Sequence, residues 1–257
     1  MLLAINANNT NTVFAVWEGE KLAGAWRAGT DARRTADEYV VWFDHLLAIA
    51  GLTRRALTGS IIASVVPEAN FNLTRLCREY CNSEPLIVGE PGVNLGTKAI
   101  VDRPEEVGAD RLVNTVAAHQ RYGGPLIVVD FGTATTFDVV DSDGNYRGGV
   151  IAPGINLSLA ALANAAAKLP SVPIGRTQRV IGTSTVACMQ SGIFWGYVGL
   201  VEGLVQRIKS EFGAPMRVIS TGGLAPLFEG ATKAIEANDP DLILAGLRLV
   251  YERNRKS

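Results

Sequence analysis

VVDFGTATTFDVVDSDG, residues 128–144, decides how the chain is read. An apolar strand runs into Asp130, a polar turn follows over Gly132–Thr136, and a second apolar strand runs into a hairpin at Asp143–Gly144. A buried strand that releases a carboxylate, a glycine and three hydroxyls at one turn is suited to gripping phosphate. Gly132 lets backbone N–H groups approach a ligand, the Thr133, Thr135 and Thr136 hydroxyls can donate to phosphate oxygens, and Asp130 can hold a cation that neutralises them. A plain β-hairpin needs only two turn residues of the Asn/Gly kind, and Asp143–Gly144 already fills that role at the far end.

The same pattern opens the chain. MLLAINANNTNTVFAVWEGE, residues 1–20, is an apolar strand, a polar turn with Asn6, Asn8, Asn9, Thr10 and Thr12, a second apolar strand and a Glu18–Gly19 turn. Two such units predict a duplicated architecture, with domains over 1–120 and 121–257 that face each other and share one nucleotide between their turns. The 257 residues, 47% hydrophobic and 19% charged, suffice for two cores of medium size. A formal net charge of -1 gives no electrostatic case for nucleic acid or an anionic membrane as partner. No apolar run reaches the length of a membrane span, and Met1 leads straight into a strand rather than a basic-then-apolar signal, so a cytoplasmic protein is expected. Cys77, Cys81 and Cys188 lack ligand-spaced partners and read as buried thiols rather than a zinc site or disulfides.

Between the two units the pattern is that of an α/β domain. Thr35-Ala36-Asp37-Glu38 is a capping box whose helix puts Tyr39, Val40, Phe43, Leu46 and Leu47 on one face before Gly51 stops it. SIIASVV (60–66) is a buried strand, a helix from Pro67 runs through Cys81, and PLIV (85–88) is another strand. Alternating strands and helices imply a sheet covered on both sides.

PEEVGADRLVNTVAAHQRYGG (104–124) reads as a helix with Gly108, Asp110 and Arg111 in its early part and Leu112, Val113, Val116 and Ala117 as its core face. A carboxylate near a helix N-terminus stays ionised, which suits orienting a hydroxyl or accepting its proton, and Arg suits a bidentate grip on a carboxylate. Beyond the central stretch, GGVIAPGINLSLAALANAAAKLP (148–170) reads as a glycine-punctuated turn into a helix of small residues. A long helix then carries Gly192, Gly196, Gly199 and Gly203 at three- and four-residue spacing. Each glycine costs such a helix about 1 kcal/mol relative to Ala. Close approach to another subunit or tight packing on the sheet would offset that cost. RVISTGGLAPLF (217–228) is a last strand whose Thr221-Gly222-Gly223 turn lets a base or ribose lie against backbone, and DPDLILAGLRLVYERNRKS (239–257) closes the chain as an amphipathic helix with a basic end. Neither a Walker A pattern nor a strand followed by G-x-G-x-x-G occurs.

Taken together, NNTNTVFAV, IIASVVP, PEEVGADR, DFGTATTFDVVD, GGVIAPGI, ACMQSGIFWGYVGLVEG, STGGLA and DPDLILAGL resemble the type III pantothenate kinases, and the likeness runs from Met1 nearly to the C-terminus. The resemblance implies two ribonuclease H-like domains of the actin-like ATPase superfamily, each a mixed sheet flanked by helices. It also implies ATP- and Mg²⁺-dependent phosphorylation of pantothenate, the first step toward coenzyme A. By that resemblance Asp110 is the catalytic base or orienting carboxylate, Gly108, Ala109, Asp110 and Arg111 form the pantothenate site, and Thr185 reaches pantothenate across a homodimer interface. Asp130 holds a monovalent cation, K⁺ or NH₄⁺, Thr133 contacts ATP phosphate, and Asn6, Ala7, Asn8, Asn9, Thr10, Asn11, Thr12 and Val13 form the first phosphate turn.

Three positions depart from the family pattern. It opens Asp-x-Gly-Asn-Thr, whereas this chain has Asn6 and Asn8. Asn tolerates left-handed backbone better than other non-glycine residues, so Asn8 is the milder change. Asn6 keeps an oxygen ligand but gives up the charge that a hard cation favours. Val101 stands where many members have a Tyr lining the substrate site. These changes admit a second expectation, a kinase-like accessory regulator of transcription with little catalysis, and a third, a kinase acting on a sugar or acetate; retention of Asp110, Arg111, Asp130 and Thr133 favours the pantothenate kinase.

Overall fold

The computed structural model describes residues 1–165, 170 and 172–255. In chain order these form β1 (Leu2–Ala7), β2 (Asn11–Glu18), β3 (Lys21–Gly29), α1 (Ala36–Ile49), β4 (Gly59–Ser64), α2 (Pro67–Arg75), β5 (Pro85–Ile87) and α3 (Ala109–Tyr122). There follow β6 (Leu126–Phe131), β7 (Ala134–Val140), β8 (Tyr146–Pro153), α4 (Ile155–Ala165), α5 (Thr185–Phe212), β9 (Arg217–Thr221), β10 (Ala237–Asn238) and α6 (Leu242–Asn254). The expected end of the small-residue helix, residues 166–169, lies outside the described residues, as does Lys256 of the basic C-terminal end.

Two five-stranded mixed sheets result, and they share one topology. The first runs β3-β2-β1-β4-β5, the second β8-β7-β6-β9-β10. In each, the first strand in chain order pairs antiparallel with the second and parallel with the fourth, so a three-stranded meander continues into two parallel strands. The duplication legible in the two strand-turn-strand stretches extends through whole sheets.

The first unit gathers residues 1–98, 102–117 and the segment from Leu242. Its β1 is buried along its full length because both faces of the sheet are covered. Leu3 and Ile5 join Tyr39, Phe43 and Leu47 of α1 and Leu73 of α2 on one face. Leu2 and Ala4 join Val113 and Val116 of α3 and Leu244, Leu247 and Val250 of α6 on the other. The α1 capping box is complete: Thr35 Oγ1 accepts from Glu38 N–H and Glu38 Oε2 accepts from Thr35 N–H. The last helix thus packs with the first unit rather than with the residues from 121 onward, because its apolar stripe completes the cover of the β1/β4 face.

The second unit gathers residues 99–101 and 118–241. One face of its sheet, Ile127, Val129, Phe131, Phe137 and Val139, packs on Phe194, Tyr197, Val198, Val201 and Val205 of α5. GGVIAP is strand β8 rather than a turn; it pairs with β7 from Ala134↔Pro153 to Val140↔Tyr146. A further short strand, β10, follows the expected last one, and the segment between β9 and β10 holds only a 3-10 turn, Ala225–Phe228, where the first unit has α2. The α5 glycines do not face the sheet. A Cβ at Gly192, Gly196 or Gly199 would meet no atom of the described residues within 4 Å, so tight packing on the sheet is not their reason. Cys77 and Cys81 are buried, and burial pushes both thiols up to about 12, whereas Cys188 is exposed, against expectation. It sits in the first turn of α5, where its Sγ donates to the Gly182 carbonyl oxygen at 3.4 Å.

Candidate active site

Asn6–Val13 and Gly108–Arg111 lie in the first unit, Asp130, Thr133 and Thr185 in the second. In the first unit β1 and β2 pair up to Ala7↔Thr12, leaving residues 8–10 as the turn. Asn8 N–H closes it on the Asn11 carbonyl oxygen at 3.0 Å. Asn82 is the one non-glycine residue with positive φ among the described residues, so Asn8 needs no left-handed backbone and the turn carries no strain from it. Asn9, Thr10 and Asn11 are exposed, while Ala7, Thr12 and Val13 are buried. The Thr12 hydroxyl faces inward, 2.9 Å from that of Thr30, which donates to the Asn8 carbonyl oxygen at 2.6 Å. Thr12 therefore braces the turn from behind. The Oδ1 atoms of Asn6 and Asn8 are buried without a hydrogen-bond partner, a state that costs about 1–3 kcal/mol per group until something meets it.

The stretch expected as one helix from Pro104 is a separate 3-10 turn at Pro104–Glu106 followed by helix α3, which starts only at Ala109. The Gly108 carbonyl oxygen accepts the N–H groups of Arg111 (3.1 Å) and Leu112 (3.3 Å), and Asp110 falls in the first helical turn. Its Oδ1 folds back to accept the Arg111 N–H at 2.8 Å and lies 2.7 Å from where a Cβ on Gly108 would be, so a side chain there would displace the carboxylate. Burial pushes the Asp110 carboxyl above its ordinary value, opposed by the Arg111 N–H and the Arg111 charge. The helix start alone implies an easily ionised acid; desolvation reverses that sign and makes the carboxylate a stronger proton acceptor.

In the second unit the turn between β6 and β7 is shorter than the sequence implies. Strand β7 begins at Ala134, so only Gly132 and Thr133 are turn residues, both exposed. Thr135 is buried within the strand, and the Thr136 hydroxyl donates to Asp138 Oδ2 at 3.3 Å. The three-hydroxyl turn thus reduces to Thr133. Two glycines close in on it. The Gly154 N–H, at the start of α4, donates to the Thr133 carbonyl oxygen at 3.1 Å, and a Cβ there would lie 2.1 Å from that oxygen. Gly222, with φ +93°, presents bare backbone to Asp130: a Cβ would sit 2.5 Å from its Oδ1 and 2.7 Å from the backbone N and O of Phe131. The Thr221-Gly222-Gly223 turn thereby frames the Asp130 carboxylate so closely that no side chain fits at position 222.

Asp138 is a residue the sequence reading passed over. Register pairs Asp130 with Thr136 and Val128 with Asp138, so Asp138 shares the face of Asp130, opposite the α5 core, and is fully buried there. Strict alternation from Asp130 across the turn would have shown it. Thr185 is the first residue of α5 and exposed, beside Ser184, whose Oγ caps the helix by accepting Ala187 N–H at 3.2 Å. Ala99 bridges to Tyr146 at the edge of β8, and nearby the Val101 Cγ1 lies 3.7 Å from where a Cβ on Gly148 would be. Among the described residues no three His, Cys, Asp or Glu side chains gather into a metal cluster, and no helix is long and apolar enough to cross a membrane.

Comparison with known proteins decides the family. The family model described as type III pantothenate kinase matches residues 2–207. The chain belongs to the type III pantothenate kinase family. A type III pantothenate kinase of Paramagnetospirillum magneticum is 65% identical over 254 residues, covering 99% of this chain and 98% of the relative. One of Rhodospirillum rubrum is 61% identical over 255 residues, covering 99% of each. Among solved structures, a ROK hexokinase from Thermus thermophilus matches with a TM-score of 0.51 at 13% identity over 99% of both chains. That likeness shows the fold alone, two mixed sheets flanked by helices, and nothing about substrate.

Proposed function

We propose that the chain transfers the γ-phosphoryl group of ATP to the primary hydroxyl of pantothenate, giving phosphopantothenate and ADP in the first step toward coenzyme A. The observation that carries the reading is Asp110: a desolvated carboxylate beside Arg111, in a chain that the family model matches over residues 2–207. Asp110 orients the hydroxyl and takes its proton as the oxygen attacks, and Arg111 grips the pantothenate carboxylate, with Gly108 and Ala109 as the backbone around them. Thr133 and residues 6–13 hold ATP phosphates. K⁺ or NH₄⁺ at Asp130, with Mg²⁺ on the nucleotide, neutralises charge that builds on the transferred group. Asp138 lies buried on the same face of the sheet and accepts a hydrogen bond from Thr136, the residue paired with Asp130. Reaction with ATP puts the protein in the cytoplasm.

We further propose that the chain works as a homodimer through the exposed glycine face of α5, where Thr185 at the helix start reaches the pantothenate site of the partner subunit. The open space over Gly192, Gly196 and Gly199 supports this, since their cost to the helix needs a contact from outside the chain. Sedimentation of the wild type as a dimer and of Gly196→Leu as a monomer is the expected outcome; a monomeric wild type refutes it.

The deciding assay is phosphorylation of pantothenate by the purified protein with ATP, Mg²⁺ and K⁺, beside Asp110→Asn and a panel of sugars and acetate. Product from the parent and a loss of about 10²–10⁴-fold in the variant are expected. Phosphorylation of a sugar instead would move the chain to another branch of the superfamily, and no product from a folded, ATP-binding parent would favour the regulator. Because burial raises the Asp110 pKa, kcat/KM should fall with decreasing pH along a limb above the ordinary carboxylate range. The same shift has a sign for stability: a carboxyl raised on folding loses stability as pH rises through its folded value, so Asp110→Asn should keep or raise the melting temperature at neutral pH while losing activity.

A further inference from the structure

The first turn ends in acceptors. Asn6 is 3% exposed, and its Oδ1, like that of Asn8, is buried with no hydrogen-bond partner. Asn6 is the second-last residue of β1, and Asn8 opens the turn two residues further on. The backbone of Asn8 is committed: its N–H donates to the Asn11 carbonyl oxygen and its carbonyl oxygen accepts from Thr30. Phosphate oxygens only accept, so two carbonyl oxygens brought against them repel unless a cation or its bound water stands between. Residues 6–13 contain no carboxylate, and a hard divalent cation binds neutral oxygens weakly when no charge accompanies them. Nucleotide phosphates supply that charge.

We infer that Asn6 and Asn8 form a neutral oxygen pair that receives a divalent cation, directly or through its water, only when the cation arrives on the nucleotide. The inference rests on the ATP reading above. Under it, the first turn selects the metal–nucleotide complex and holds no metal of its own between turnovers. The amide of Asn6 acts as a ligand or water acceptor, not as a donor to phosphate.

Binding, rather than turnover, tests this. Mn²⁺ alone, ATP alone and Mn²⁺ with ATP are titrated into the full chain by electron paramagnetic resonance and calorimetry, for the wild type, Asn6→Asp and Asn8→Asp, with melting curves to show that each variant folds. The wild type should leave Mn²⁺ free without ATP and bind ATP about tenfold tighter with Mn²⁺ than with a chelator. Asn6→Asp should gain about tenfold in affinity for Mn²⁺ alone, and Asn8→Asp should gain in the same direction if the first variant fails to fold. Three outcomes overturn the inference: Mn²⁺ held by the wild type without nucleotide, ATP affinity indifferent to Mn²⁺, or loss of ATP binding in a folded Asn6→Asp with Mn²⁺ present, which would make the amide a phosphate donor. Failure of the wild type to bind ATP under any condition overturns the nucleotide reading itself, a result separable from the other three.

Discussion

Asn6 and Asp130 occupy the same place in two copies of one sheet. Each is the second-last residue of the strand that opens its meander; Asn6 lies opposite Val13 and beside Ala63, Asp130 opposite Thr136 and beside Thr221. Each is followed by one apolar residue and then by the residue whose N–H closes the turn, Asn8 in one copy and Gly132 in the other. From there the copies part. The first turn has three residues and neutral amides, laced from behind by the Thr12 and Thr30 hydroxyls. The second has two, a carboxylate, and the bare backbone of Gly154 and Gly222 against it. Topology puts the two side chains at equivalent places, and only the second carries a charge.

The largest effect should come from making the second copy like the first. Asp130→Asn removes the charge from the only carboxylate in this pair of positions, and loss of one preorganised electrostatic contact to a phosphoryl group costs about 10²–10³-fold in rate. We expect kcat/KM to drop by that order and activation by K⁺ to vanish in a salt titration at constant ionic strength. A variant that keeps its K⁺ response would show that the two positions differ in name only.

Next comes the frame around that carboxylate. Gly222→Ala places a methyl where Asp130 Oδ1 and the Phe131 backbone now sit, at a φ of +93° that L side chains rarely adopt. We expect about 1–3 kcal/mol of destabilisation in urea unfolding, with a raised K⁺ half-saturation in the fraction that folds. Unchanged values on both counts would mean that the second turn has slack and that its glycines are not a fitted cradle.

Much of this contrast was legible in the sequence, and the limits have physical causes. The two strand-turn-strand stretches foretold duplicated sheets because apolar runs, turn residues and their spacing are local signals. The α1 capping box was legible for the same reason. The packing of α6 with the first unit was not, since an amphipathic stripe does not say which sheet it covers. The charged start of α3 suggested an easily ionised Asp110; its desolvation depends on residues distant in sequence, and no motif encodes that. GGVIAP reads as a turn by its glycines, yet pairing with β7 overrides that local preference. The exposed amides and hydroxyls of the first turn could not be told from the buried ones, either: Thr10 and Thr12 look alike in NNTNT, but strand alternation beyond Asn11 turns Thr12 inward.

That last distinction yields the smallest effect and the finest test of the comparison. Thr12 is fully buried, and with the Thr30 hydrogen used on the Asn8 carbonyl oxygen, the Thr12 hydroxyl donates to Thr30 Oγ1. Val in its place has nearly the same shape and removes only that donor. Thr30 can still hold Asn8, so the turn should persist with a stability loss of about 0.5–1.5 kcal/mol. If the same energy is felt wholly in ATP binding, the KM for ATP rises by no more than about tenfold, since 1.4 kcal/mol corresponds to a factor of ten. The change should leave kcat nearly untouched, because a brace behind the turn acts on binding rather than on the reacting atoms. A phosphate ligand at this position would behave otherwise, with kcat falling alongside stability left intact. Thr12→Val, measured for KM, kcat and urea midpoint together, therefore decides whether the first turn grips phosphate with Thr12 itself or only with the exposed residues that Thr12 supports.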